Sequence, residues 1–211
     1  MFMQDISRTS LHTAVAAPAA HAKTAPQTRL FSGLTAGTLV ETATGWRGVE
    51  TLRSGDRVQS FDGGLRQVVG LDRGWLLPGE AALLLVPGGA FDNCTDLTLA
   101  PDQHLLIDTE GDAELPDDAM ALIPAAALVG FRGTSRLTKH QPVELITPLF
   151  ADVEAIWTNS GTLLHCPAIK HGAGRLPQGD DFTRLDLTAA RALLRRLDSR
   201  NSPLPAALRF A

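Results

Sequence analysis

The chain of 211 residues reads as an all-β domain followed by one C-terminal helix. Three observations carry that reading. Short runs rich in β-branched residues recur from residue 38 to residue 166, each bounded by Gly, Pro, Asn or Asp, the punctuation of strands and tight turns. One segment, residues 186–199, keeps a helical apolar period over several turns. Hydrophobic residues make up 44% of the chain, as in ordinary soluble proteins, and no apolar run approaches the roughly 18 residues of a membrane span.

Residues 1–29 are rich in Ala, Thr, Pro and His and poor in large apolar residues, so they are expected to form a disordered lead. Arg8 and the small residues Ala20-His21-Ala22 could mark a signal peptide, but Thr, His and Pro break the apolar core between them. Cytoplasmic residence, or export without a classical signal peptide, is the expectation. Residues 30–172 form the β domain, and residues 173–211 are read as a linker and the helix.

Within the β domain, Thr38 to Thr42 is a first strand. Val49, Leu52 and Val58 form an apolar pattern around the turn Ser54-Gly55-Asp56. Asp62-Gly63-Gly64 separates Val58–Phe61 from Leu65–Val69 as a hairpin, because this tripeptide supplies the positive φ of a tight turn. Trp46 is placed in a Thr-Gly-Trp-Arg-Gly turn, where it would cap the core. Strands are expected at 81–86, 96–99 and 104–107, and the acidic segment 111–118 as a solvated loop. Pro124 divides residues 119–129 into a short strand and one helical turn. Strands at 143–147, 155–158 and 162–166 follow, the last two joined by the turn Asn159-Ser160-Gly161. Asp186 can cap the helix, whose Ala190, Leu193, Leu194 and Leu197 share one face. That face is expected to dock on the β domain, and the arginines opposite it (191, 195, 196 and 200) are read as solvated.

The formal net charge of −4 implies no general attraction to nucleic acid or to an anionic membrane. Two cysteines, Cys94 and Cys166, exclude a disulfide scaffold and a four-Cys zinc site, and are expected as free, partly buried thiols. His104, His165, His171 and Cys94 are too dispersed for a metal-ligand spacing, so no metal and no cofactor is expected.

Gly37, Thr38, Val49, Glu50, Leu52, Gly55, Asp56 and Val58, taken in order, resemble the opening of the Hint (hedgehog/intein) family, and most of all its bacterial Hint-domain proteins. The resemblance runs from about Phe31 to Pro167 and implies the Hint fold. It also implies an autocatalytic ancestor, in which a Cys or Ser attacks the preceding carbonyl while a His protonates the leaving nitrogen and donors hold the oxyanion. The family's nucleophile stands four residues before the glycine of the Gly-Thr pair. Gly33 occupies that position here, with Ser32 one residue ahead of it.

The stretch Ala100-Pro101-Asp102-Gln103-His104-Leu105-Leu106 looks like the family's S/T-P-x-H-x-L-L with one extra residue. It makes His104 either the proton donor or a histidine bonded to backbone at a hairpin mouth. Leu149 to Ala155 is similar to the family's closing L-F-D-x-H-x-V, with Val153 in place of its histidine and Asp152 one position late. The pair His165-Cys166 lacks the Asn of an intein ending, so splicing is not implied. Adjacent strand residues point to opposite faces, which argues against a Cys–His dyad there.

The candidate catalytic residues are therefore Ser32, His104 and Asp152, and His104 is expected to share one cleft with the Ser32-Gly33 backbone. The departures point to an impaired autoprocessing module. The alternatives are a non-enzymatic β platform that binds a partner protein through loops such as 111–118, and a weak Ser32-dependent N–O acyl shift assisted by His104.

Overall fold

The computed structural model describes residues 31–62, 64–112, 114–115, 119–169 and 182–201. The expected lead at 1–29, most of the linker and the middle of the Asp62-Gly63-Gly64 signal lie outside them.

Strands β1 (Leu34–Thr35), β2 (Leu39–Thr42) and β3 (Gly45–Gly48) open the chain, and a single 3-10 turn (Val49–Thr51) follows. Next come β4 (Arg57–Ser60) and β5 (Gly64–Gln67), the expected hairpin, and then β6 (Gly70–Leu76), β7 (Leu83–Val86), β8 (Leu97–Leu99) and β9 (His104–Asp108). After β10 (Met120–Pro124) a 3-10 turn (Ala125–Leu128) begins directly beyond Pro124, as its fixed φ favours. The chain continues through β11 (Ser135–Leu137), β12 (Val143–Leu149), β13 (Glu154–Thr158), β14 (Thr162–Cys166), β15 (Thr183–Arg184) and helix α1 (Leu187–Asn201).

Among the described residues the strands form two sheets. One runs β11-β7-β8-β1-β12-β6; the other runs β15-β10-β9-β14-β13-β2-β4-β5, with β3 on β2. The body is thus mostly β with one C-terminal helix. Strand alternation sends Val40, Val58, Leu105, Ile123, Ile156 and Leu164 into a shared core with Leu34, Leu99 and Ile146 of the other sheet. The same alternation puts Leu106, Leu122 and Leu163 on the second sheet's other face, where Trp157 and Phe182 cover them. Each such side chain, taken out of water, contributes about 1.5–3 kcal/mol.

Helix α1 starts where Asp186 Oδ1 accepts from the N–H groups of Thr188 and Ala189, both at 2.8 Å. Its Ala190, Leu193 and Leu194 are buried in the main core. No helix among the described residues is long and apolar enough to cross a membrane.

Four expectations are corrected. Trp46 belongs to strand β3, opposite Glu41, and is 41% exposed, so it does not cap the core. The acidic segment is not simply solvated. Asp112 is buried, and its carboxylate takes both Nε (2.9 Å) and Nη2 (3.0 Å) of Arg196. Arg196 is correspondingly not a solvated face residue, because its Nη1 also meets Glu114 Oε2 at 2.7 Å. Both thiols are free, but Cys94 is exposed whereas Cys166 is buried.

Candidate functional site

β1 lies between β8 and β12, with Leu34 opposite both Leu99 and Ile146. The three residues before it therefore enter a slot between β12 and the turn that precedes β9. Phe31 is clamped at both ends of its backbone: its N–H donates to Asp102 Oδ2 at 2.7 Å, and its carbonyl accepts from the Asp102 N–H at 3.0 Å. Ser32 is exposed, and its hydroxyl donates to Gln103 Oε1 at 3.0 Å. The Gly33 N–H donates to the same oxygen, also at 3.0 Å.

Gln103 is the hub of this slot and is only 1% exposed. Its Nε2 donates to the carbonyls of His104 (3.1 Å) and His165 (2.8 Å), so the amide is saturated on both sides and its orientation is fixed. Its own carbonyl accepts from Ala125 N–H at 2.7 Å. Sequence reasoning passed over Gln103 and Asp102 as turn residues. Their one signal was their place directly before His104, in a segment that resembles a family site.

Gly33 is buried with φ at +126°, a conformation side chains rarely adopt. A Cβ at this position would lie 3.0 Å from Thr147 Oγ1, 3.1 Å from Leu145 Cβ and 3.4 Å from the Ile146 nitrogen. The position is closed by its neighbours as well as by its own lack of a side chain.

His104 opens β9 and faces His165 on the neighbouring strand β14, the two rings edge-on with centroids 6.3 Å apart. Arg184 Nη2 stands 3.3 Å from His165 Nε2. Burial first, then the charges of Arg184 and His165, hold His104 down at about 4, against the pull of Asp102. The ring is therefore neutral at neutral pH. Among the described residues it makes no hydrogen bond to Ser32 or Gly33, which it adjoins only through the Gln103 backbone and amide.

Asp152 lies exposed on the turn before β13, where its charge helps to raise the Glu154 carboxyl. Burial is the main cause of that rise, opposed by a hydrogen bond from Ser60 and by Arg66, whose Nε is 3.3 Å from Glu154 Oε1. Glu154 pairs across the sheet with Cys166, whose thiol is pushed up by burial and then by the Glu154 charge. Cys166 points into the core while His165 faces His104. Among the described residues no three of His, Cys, Asp and Glu are grouped so as to hold a metal ion.

The chemical capacity of the slot follows from these partners. An acyl shift at residue 33 would need the Gly33 nitrogen to gain a proton as it leaves. That nitrogen instead donates to an amide oxygen, which has no proton to give. For attack by Ser32, the Phe31 carbonyl does have one polarising donor, the Asp102 N–H. The Ser32 proton, however, points at the same amide oxygen rather than at a base.

The family profile described as Hint domain matches residues 32–163 of this chain. Similar solved structures include the bacterial intein-like domain from Clostridium thermocellum, with 16% identity and a TM-score of 0.45 over 64% of this chain and 99% of that one. A splice-inactive variant of the AceL NrdHF class 3 split intein is similar at 13% identity and a TM-score of 0.43, over 66% of this chain and 100% of that one. The MchDnaB-1 intein is similar at 20% identity and a TM-score of 0.38, over 62% and 98%. No curated protein matches the chain.

Proposed function

Because the chain belongs to the Hint-domain family, we propose that it keeps the frame of a self-processing module whose acyl shift has been lost, and that it serves as a non-enzymatic β platform. The observation that carries this reading is the Gly33 slot: no nucleophilic atom at the attacking position, and no space into which one could be placed without moving Thr147 or Leu145. Two further features support it. The leaving nitrogen is held by an acceptor, and His104, held at about 4, is a poor proton donor near pH 7.

The rival reading, a slow N–O shift by Ser32, has the Phe31–Asp102 clamp in its favour, since that clamp polarises the carbonyl Ser32 would attack. The intact mass of the full chain, followed over days with hydroxylamine or a thiol, separates the two. An unchanged mass is expected. Loss of residues 1–31, abolished by Ser32→Ala, would establish Ser32-dependent cleavage and overturn the proposal.

A further inference from the structure

Gln103 and the slot lie directly before the start of β9. At its other end, about 13 Å away at ~3.3 Å per residue, lies a cleft of about 620 Å³, a volume typical of ligand sites. Its floor is apolar: Leu106, Met120, Trp157 and Leu163. One wall is the ring pair Phe91 and Phe131, 5.8 Å apart. Asp92, Asp108 and Glu110 also line it, all three exposed, and the single cation among the described lining residues is Arg132. The Arg132 guanidinium lies 5.8 Å and 5.2 Å from the Phe91 and Phe131 ring centroids and donates to the Ala90 carbonyl at 2.8 Å. It thereby braces the wall, and the described lining residues carry more acidic than basic side chains.

The rim is also where backbone strain gathers. The non-glycine residues with positive φ among those described are Asp92 (59°), Arg132 (44°), Asn159 (43°) and Ser160 (81°). Two of them line the cleft, and the other two directly precede the lining residue Gly161. Asp and Asn tolerate this conformation, whereas Arg and Ser adopt it uncommonly. Such outliers persist where surroundings over-determine them, and they concentrate at ligand clamps. The surroundings here are close-fitting: a Cβ on Gly161 would come within 2.5 Å of Asp92 Cβ and 2.6 Å of Asp92 O. Asn159 is tied to Leu39 N–H at 2.8 Å and to Thr95 Oγ1 at 3.1 Å.

We propose that this cleft is a preformed docking site for a short basic, apolar peptide segment of a partner protein. Aromatic or aliphatic side chains of the segment lie on the Trp157 floor and against the Phe91–Phe131 wall, and its Lys or Arg groups meet the carboxylates of the lip. Those carboxylates come from two separate loops, around Asp92 and around Asp108, so one small amine answers only one of them. A chain that alternates basic and apolar residues answers both loops and the floor together. The site is distinct from the Gly33 slot, and it stands or falls independently of whether any acyl shift survives there.

The test is titration of the full chain with a capped pentapeptide of sequence phenylalanine-lysine-leucine-lysine-phenylalanine, read by calorimetry and tryptophan fluorescence. A glutamate-for-lysine peptide and octylamine serve as controls. Asp92→Asn combined with Asp108→Asn is the informative variant. Asn tolerates the Asp92 backbone and keeps the acceptor that Asp108 Oδ1 offers to the Glu110 N–H. The basic peptide should bind, at least tenfold more weakly to the variant, and more weakly to both proteins as salt is raised. The acidic peptide should bind at least tenfold more weakly than the basic one. Equal affinity for both peptides, equal affinity of native protein and variant, or charge-dependent binding of octylamine without binding of the peptide would each overturn the proposal.

Discussion

Gln103 turns three unrelated backbone needs into one side-chain conformation. Its acceptor serves Ser32 and Gly33, and its donors serve the carbonyls of His104 and His165. Gln103→Leu keeps the bulk and removes both functions, leaving a buried N–H and two carbonyls short of a partner at about 1–3 kcal/mol each. Partial access of water lowers the sum, so a loss of about 2–4 kcal/mol is expected from the urea unfolding midpoint. A loss below about 1 kcal/mol would mean that Gln103 is not what holds residues 32 and 33.

The neighbouring His104 makes a prediction of a different kind. The folded chain holds it at about 4 against an ordinary 6.5. As pH falls through that interval the unfolded chain takes up the proton first, so the folded state loses stability from about 6.5 down to about 4. Glu154, raised by burial, works in the opposite sense: its contribution is complete at low pH and is lost as pH rises through its folded value. His104→Gln should therefore flatten the acid-side fall of the melting temperature. An acid limb as steep in the variant as in the native chain would assign that fall to other groups.

At the scale of elements, the turn between β13 and β14 does more than reverse the chain. Gly161 lets it press against the Asp92 backbone, and Thr158 Oγ1 closes it by donating to the Thr162 carbonyl at 2.8 Å. Gly161→Ala forces that contact apart, costing about 1–3 kcal/mol as an overpacking substitution, or roughly 3–9 °C in the midpoint. Because the same contact holds the Asp92 loop at the cleft, basic-peptide binding should weaken in parallel. A melting temperature within about 1 °C of the native value would show that the loop yields freely.

Elements were legible in the sequence in proportion to their length and punctuation. The β4–β5 hairpin, the strand-and-turn division at Pro124 and the capped helix each announce themselves locally, and each stands where local signals put it. β1 and β15, two residues long each, carry no local signal and exist through remote partners, β12 with β8 for the first and β10 for the second. In sequence β3 reads as a turn, because Gly45 and Gly48 bracket Trp46, whose size suggests burial. The site was legible only in outline: the family resemblance sets Gly33 where a nucleophile would stand, but Gln103, Asp112 and the 620 Å³ cleft depend on side chains brought together from distant positions. A polar residue in a turn looks the same in sequence whether it is solvated or serves as a buried hub.

At the scale of the whole molecule, the family match stops at residue 163, inside β14, while the fold does not. β15 adds to the edge of β10, and α1 buries three of its side chains in the same core that the β-strands build. The Arg196–Asp112 pair then ties that helix to the segment after β9. Removing residues 182–201 would uncover β10 and the turn at Ala125–Leu128, on which the helix packs, and would take from the buried Asp112 carboxylate its bond to Arg196. A fragment ending at residue 169 should therefore lack the cooperative melting transition of the full chain, as differential scanning calorimetry would show. Cooperative melting of the fragment, near the full-chain temperature, would make the helix an accessory.

The Arg196–Asp112 pair carries one more consequence, for proteolysis and exchange. It ties helix α1 to the segment that joins β9 to β10, so release of the helix has to break an ion pair before it uncovers β10. Backbone amides of β10 should accordingly exchange with deuterium only in step with release of the helix, and Arg196→Ala should uncouple the two long before the sheet itself comes apart.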